Sequence, residues 1–394
     1  MNTTILHKEP QEFIDNNLNS DITKLILKGS PFDTISIQEL SNQIISKQKS
    51  KTKLPTWFNK KNIYYPAKIS IEQTSSEATA IYKSNLVSGK LLIDITGGFG
   101  IDTFYFSKKF DKVIHAEINE NLSKIVTHNY KKLEVNNIET IAVNGLDYLK
   151  KSSQKFDCIY IDPSRRDEIK GKVFLLKDCL PNVPENLDFL FEKSDTILIK
   201  NSPMLDIKAT LNELKFVKEI HVVAVNNEVK ELLFLLCKKS NVIIEIKTIN
   251  ILKCNTQRFN FYLESICKKR YLSPVNFLYE PNSAILKSGG FNQVSNSYDV
   301  YKLHQHSHLY TSEKVVSDFP GRTFKIIQVY PYNKKKIKKV LTMLKANITT
   351  RNFPKSVTQI RTETKLKDGG DTYLFFTTNS DNELIVIQCS KILE

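Results

Sequence analysis

Leu91-Leu92-Ile93-Asp94-Ile95-Thr96-Gly97-Gly98-Phe99-Gly100-Ile101-Asp102 decides the fold of this chain. Leu91, Leu92 and Ile93 form a short apolar run that stops at an acid, Asp94. Such a run reads as a strand buried on both faces of a parallel sheet. Glycines directly after it let the backbone turn sharply and approach a ligand, because they carry no Cβ. From Ile101 the rhythm becomes helical again, and a helix N-terminus offers unpaired N–H groups to that ligand. The stretch predicts a nucleotide or nucleoside cofactor at the C-terminal edge of a parallel sheet.

Strand-like and helix-like segments alternate on either side of this stretch. Strands are expected at 91–95, 113–117, 139–143, 158–162, 196–200 and 219–225. Helices are expected at 101–108, 119–133 and 147–151, with a helical insertion at 172–193. Leu232–Leu236 is apolar, and 242–246 and 258–264 alternate as late antiparallel strands do. Alternation with short links predicts a doubly wound α/β sheet of Rossmann-like type.

Two cofactor classes fit that sheet. A dinucleotide enzyme would show Gly-x-Gly-x-x-Gly, and this chain departs from that spacing. Asp94, Gly98 and Gly100 instead fall on the Asp-x-Gly-x-Gly-x-Gly loop of S-adenosylmethionine enzymes, with Thr96 in place of the first glycine. The loop, including Gly97 and followed by Asp102, would take the methionine portion. The second strand ends in Glu117, whose carboxylate can accept from both hydroxyls of a ribose. After the third strand, Asn144 is placed to accept from the adenine amine, with Asp147 as a competitor. Upstream, 70–87 reads as one helix capped by Ser70 or Thr74; its polar residues, Gln73 and Ser76 among them, would lie across the cofactor.

The fourth strand runs into Asp162-Pro163-Ser164-Arg165-Arg166. Amino-group methyltransferases place an acid or amide, two prolines and an aromatic here. An exocyclic amine is a poor nucleophile because its lone pair is conjugated into the base. A carboxylate and the carbonyl preceding proline accept its N–H hydrogens and localise that pair. Asp162 and Pro163 fit, whereas Ser164 and Arg165 replace the second proline and the aromatic; a guanidinium plane can still stack on a base. Arg165, Arg166 and Lys200, at strand ends, are candidates for RNA contact, against the plainer reading of the arginines as an ion pair with Asp167 or Glu168.

LPTWF, EQTSSEATAIYKS, DITGGFGIDTFYFS, YIDPSRRD and IKNSPMLDI together resemble bacterial class I S-adenosylmethionine-dependent methyltransferases that carry a THUMP-like C-terminal domain. The catalytic part is also similar to the RNA cap guanine-N2 group, although those enzymes have Ser-Pro-Pro-Trp where this chain has Asp-Pro-Ser-Arg. YEPNSAILKSG resembles a small ferredoxin-like module, and RNFPKSVTQIRTETKLKDGGDTYLFF the THUMP-like domain. The resemblance implies a helical extension over 1–69, a methyltransferase domain over 70–270, a ferredoxin-like module over 271–322 and a THUMP-like domain over 323–394. It implies methyl transfer to structured RNA such as rRNA or tRNA.

Composition bounds the rest. The chain has 394 residues, 41% hydrophobic and 25% charged, as folded proteins do. No apolar stretch approaches the length of a membrane span, and MNTTILHKEPQEF lacks a signal-peptide pattern. Six scattered cysteines without a Cys-x-x-Cys pair read as thiols of a reducing cytoplasm, with no zinc site. A net charge of +15 favours a polyanion such as RNA, while Lys, Asn and Ile enrichment is also what an AT-biased genome produces. Residues 47–53 read as a basic linker or phosphate-contacting arm. Lys334, Lys335 and Lys336 open a basic helix expected to reach Leu344, either a solvated face or an RNA contact. His304, His306 and His308 share one face if the segment is a strand, and a surface strand is preferred to a metal site. Asp368-Gly369-Gly370-Asp371 reads as a hairpin turn. The expected function is methylation of an RNA base; the alternatives are an RNA-binding protein with a degenerate fold and a protein or small-molecule methyltransferase.

Overall fold

The computed structural model describes residues 1–165, 175–238, 243–335, 337–341 and 343–392. The chain forms two compact units: residues 1–219 with 230–242, and residues 220–229 with 243–394.

The first unit begins with helices Lys8–Asn16, Ile22–Lys28, Ile37–Lys53 and Pro55–Asn59. A Ser36–Glu39 capping box opens the third of these, and Pro55 starts the fourth, where no intrahelical N–H is needed. The 47–53 segment is neither linker nor arm. It is the last two turns of that helix, with Lys47 paired to Asp15 and Lys49 to Glu72. Leu40, Ile44, Leu54 and the fully buried Trp57 share one core with Phe104, Tyr105 and Tyr130. Trp57 meets Phe104 edge-on with centroids 4.8 Å apart, so the N-terminal helices are built onto the sheet's own helices.

The strands of this unit are β1 (Gly89–Asp94), β2 (Phe110–Ala116), β3 (Ile138–Ile141), β4 (Cys158–Ile161), the short pair β5 (Ser164–Arg165) and β6 (Cys179–Leu180), and β7 (Thr196–Asn201). β8 (Val217–Val225) leads into the second unit, and β9 (Glu228–Cys237) returns. The order is β9-β7-β4-β1-β2-β3, parallel throughout except for β9, which runs antiparallel to β7. The chain winds outward through β2 and β3, then restarts at β4 on the other side of β1. That reversal opens a crevice beyond the C-terminal ends of β1 and β4. The expected Rossmann-like sheet is present.

Two expectations are corrected here. The 70–87 helix is two helices, Lys68–Gln73 and Glu77–Ser84, because Ser76 caps the second and Ser75 turns inward. Within 172–193, the described residues hold a 3-10 turn at Leu176–Asp178 and an α-helix at Val183–Lys193.

The second unit holds β10 (Glu245–Ile251) and β11 (Thr256–Tyr262), an antiparallel pair beside β8. A further sheet follows: β12 (Phe277–Pro281), β13 (Tyr301–Lys302), β14 (Tyr310–Ser312), β15 (Gly321–Pro331), β16 (Asn347–Arg351), β17 (Thr372–Thr378) and β18 (Leu384–Lys391), in the order β13-β14-β12-β15-β18-β17-β16. Period-two alternation along β18 sends Ile385, Ile387 and Cys389 into one core and Val386 into another. β16 and β17 are parallel, so the helix Val357–Thr364 makes the crossover between them. Asp368–Asp371 therefore links a helix to a strand and is not a hairpin. The histidine row lies in the turns between β13 and β14, not on a strand. His304 takes hydrogen bonds with Asn352 and Asn382, and His308 stacks on Phe291 with centroids 3.6 Å apart. Of the expected 334–344 helix, Ile337–Val340 is helical, and Lys334 and Lys335 form an exposed turn before it. Lys336 lies outside the described residues.

Candidate cofactor and acceptor site

The glycine turn is held from below. Gly97 donates to the carbonyl of Ala116 on β2, and a Cβ on Gly97 would come within 2.3 Å of His115 Nε2. Gly98 and Gly100 have φ of +54° and +77°, the left-handed region that glycine enters without penalty. The Gly98 N–H donates to Glu117 Oε2 at 2.8 Å, and Glu117 Oε1 accepts from Asn119 N at 2.7 Å. Glu117 thus ties the end of β2 to the turn after β1, half-buried and with lone pairs left for a diol.

Two residues expected at the cofactor, Asp94 and Asp102, are buried and bonded to protein groups. Asp94 is buried, accepting from Thr96 N at 2.9 Å and from Thr103 Oγ1 at 2.7 Å. Burial, reinforced by Asp102 and Asp162, raises its carboxyl to about 7 against the hydroxyl and N–H donors. Asp102 accepts from Ser75 Oγ at 2.8 Å and Tyr160 OH at 2.7 Å, and lies 3.2 Å from Lys83 Nζ. Thr96 Oγ1 accepts from the Asp162 N–H at 2.7 Å, pinning the β1 turn to the end of β4 across the crevice.

Asn144 is exposed, but its Oδ1 caps the next helix, accepting from Leu146 N and Asp147 N. The oxygen expected to meet an adenine amine is therefore occupied, and exposed Asp147 beside it carries the available acceptor. Ser76 also works as a cap, accepting from Thr79 N, while Gln73 is exposed at the end of its helix. Ser75, another of the polar residues expected to lie across the cofactor, turns inward to Asp102 and Lys83.

Unforeseen are Ile118 and Val143, 71% and 40% exposed at the ends of β2 and β3. A large apolar side chain directly after the strand-ending Glu117 is the signal that could have found Ile118; Val143 follows Ala142 and carries no such mark. The chain further buries Lys83 and Glu231 completely, with Lys83 Nζ 2.6 Å from Glu231 Oε2 and 3.0 Å from Ser75 Oγ. A lysine on the buried stripe of a helix, and an acid opening the apolar run ELLFLL, mark both in the sequence. Asp162 is half-buried and accepts from Lys200 Nζ, whose side chain is only 12% exposed. Burial works against the Lys200 charge, yet Asp162, Asp102 and Glu231 outweigh it and hold the ammonium group above its ordinary range. Pro163 follows at the crevice edge. Arg165 continues into β5, where its backbone is described, and Arg166 lies outside the described residues.

Residues 277–320 match a ferredoxin-like domain and residues 321–391 a THUMP domain-like family. A crystal structure from Porphyromonas gingivalis W83, assigned as a methyltransferase, matches 97% of this chain and 97% of its own at 32% identity and a TM-score of 0.88. This chain belongs to that methyltransferase family. An rRNA methylase from Streptococcus thermophilus (15% identity, 41% of this chain, 95% of that one) has a TM-score of 0.31. A Streptococcus mutans protein assigned as a methyltransferase and solved with SAH matches equally distantly (15% identity, 41% and 96%, TM-score 0.31). Neither is near enough to carry function. Among curated proteins none matches the chain. For a member of this family, a glycine turn, a carboxylate on it and a second carboxylate across the crevice now stand at one edge of one sheet.

Proposed function

We propose that this methyltransferase uses S-adenosylmethionine to methylate a base of structured RNA. The observation that carries the reading is Glu117, bound to the N–H of Gly98 at the edge where the strand order reverses. A ribose held by Glu117 would place the adenine between the apolar Ile118 and Val143, with Asp147 accepting from its amine and Asn144 as neighbour. The turn from Thr96 to Gly100 would meet the methionine portion, with Gln73 and Ser76 on the approach and Asp94 and Asp102 beneath. When bound, the cofactor supplies a sulfonium-activated methyl group for in-line displacement.

The chain's own contribution is alignment and polarisation. Asp162, assisted by the shape that Pro163 imposes, accepts from the amine of the target base and localises its lone pair. Thr96 fixes the spacing between donor and acceptor sides through its bond to Asp162 N. RNA as the acceptor is supported by the net charge of +15 and by the THUMP-like match. Arg165, Arg166, Lys334, Lys335 and Lys336 are the proposed phosphate or base contacts. The proposed division is a helical extension over 1–69, a methyltransferase domain over 70–270, a ferredoxin-like module over 271–322 and a THUMP-like domain over 323–394. The absence of any helix long and apolar enough to cross a membrane, among the described residues, fits action on cytoplasmic RNA.

The test is transfer of tritiated methyl from S-adenosylmethionine to bulk RNA from a strain lacking the gene. Label in RNA supports the reading. Label in the protein fraction indicates a protein methyltransferase, and no label with intact RNA binding indicates a degenerate fold; either result overturns it.

A further inference from the structure

Resting on that reading, we infer that Lys200 is a positioning residue acting through Asp162, and not a contact to RNA phosphate. A lysine that binds phosphate presents its ammonium group to solvent. Lys200 instead lies at the end of β7, its side chain nearly covered, with Nζ on Asp162 Oδ2. Asp162 ends the neighbouring strand β4, and its backbone N–H is held by Thr96 at the end of β1. Main chain and side chain of one acceptor are therefore fixed from opposite sides, by the two strands that flank β4.

Behind the pair lies a closed charge system. Lys83 spans Asp102 and Glu231, Asp102 takes the hydroxyls of Ser75 and Tyr160, and both acids act on Lys200. Two ammonium groups face three carboxylates, of which Asp102 and Glu231 are buried and Asp162 is half-buried. Glu231 Oε1 is buried without a hydrogen-bond partner, so acceptors already outnumber what the two ammonium groups satisfy, and losing Lys200 removes the donor that Asp162 Oδ2 has there. An unpaired Asp162 carboxylate would turn toward whatever donor is nearest, and the angle at which it meets the amine of a bound base would be lost. Lys200 thus sets the direction of the Asp162 lone pairs; it neither donates to the base nor takes a proton, since its charge is held firmly in place.

A double-mutant cycle decides the matter, using Lys200→Met, Asp162→Asn, the double variant and Lys200→Arg in the full chain. Methyl transfer to bulk RNA from a strain lacking the gene is read as kcat and KM, alongside calorimetric SAH affinity and thermal unfolding without cofactor. Lys200→Met should lower kcat about 10- to 100-fold, leaving KM for RNA and SAH affinity within about twofold. The double variant should be no slower than Asp162→Asn alone, and Lys200→Arg should recover most of the loss. Additive losses, or a raised KM with a salt slope reduced by about 0.7–0.9, would overturn the inference in favour of a phosphate contact. If Lys200→Met unfolds early, Lys200→Gln takes its place in the cycle with Asp162→Asn and keeps the same non-additivity test. Wild-type protein that neither binds SAH nor labels RNA would overturn the methyltransferase reading, and this inference with it; additivity in an active enzyme overturns this inference alone.

Discussion

Replacing Asp94 by Asn should make the first unit more stable at neutral pH and flatten its pH dependence. Asp94 is fully enclosed, and burial is the largest influence on its carboxyl, which is raised from 3.8 to about 7. In the unfolded chain the group ionises near its ordinary value. Between pH 4 and 7 the folded state therefore binds the extra proton, and stability falls as pH rises through that window and levels off above it. At about 1.4 kcal/mol per pH unit the span amounts to about 4 kcal/mol. Asparagine retains an acceptor for Thr96 N and offers an N–H₂ to Thr103 Oγ1, which can reverse its hydroxyl. The sole tryptophan, Trp57, sits in the core of this unit, so urea unfolding followed by its fluorescence reports the right event. Measured without cofactor, variant minus wild type should grow by about 2–4 kcal/mol from pH 4.5 to pH 8. A difference that stays constant with pH would refute the burial argument. So would a loss at pH 8, which would mean that the charged form is the one the turn requires.

Gly97→Ala should cost about 1–3 kcal/mol and weaken SAH binding, because its methyl meets the enclosed His115 ring; adding His115→Ala should restore much of the binding in calorimetry, and no recovery would locate the clash elsewhere. Ile118→Asp should lower SAH affinity at least about tenfold while leaving the melting temperature nearly unchanged, since the side chain is 71% exposed; unchanged affinity would remove it from the adenine wall. In the second unit, Glu280 accepts from Arg322 Nε at 2.8 Å and Arg351 Nη2 at 2.9 Å while almost fully buried itself. Glu280→Ala should destabilise that unit by about 1–3 kcal/mol, discounted for the half-exposed arginines, with faster hydrogen exchange along β15 and β16 as the readout. Unchanged exchange would show that the arginines find water instead. The double variant Lys334→Ala with Lys335→Ala should reduce the salt slope of RNA binding by about 1–2, and an unchanged slope would make these lysines a solvated turn.

What could be read beforehand follows the range of the interactions. β1, β2, β4 and β7 announce themselves as apolar runs, and Glu117 and Asp162 follow from standing where such runs end. These are local patterns. The pairing of Lys83 with Glu231 joins residues 148 positions apart, so no window of sequence contains it. The break at Ser75 is hidden for a related reason: every residue from 70 to 87 tolerates a helix, and the turn is stabilised by Asp102, which arrives from elsewhere, as well as by Lys83. Asn144 follows β3 as expected, and its oxygen caps the next helix, because a cap and a ligand contact ask for the same residue type. The basic run at 47–53 looked solvated by charge alone. Its partners Asp15 and Glu72 come from other helices, and pairing converts a charged run into a packed one. The histidine row has the period of a strand, yet the chain makes turns there, with His304 held by Asn352 and Asn382.

Calorimetric titration of the full chain with SAH, in wild type and in Glu117→Ala, bears most directly on the central claim. One SAH per chain in the wild type, with affinity at least about tenfold weaker in the variant, is the predicted result. Wild-type protein that takes up no SAH, or a variant that binds it as tightly, would contradict a cofactor cradle at the end of β1 and β2.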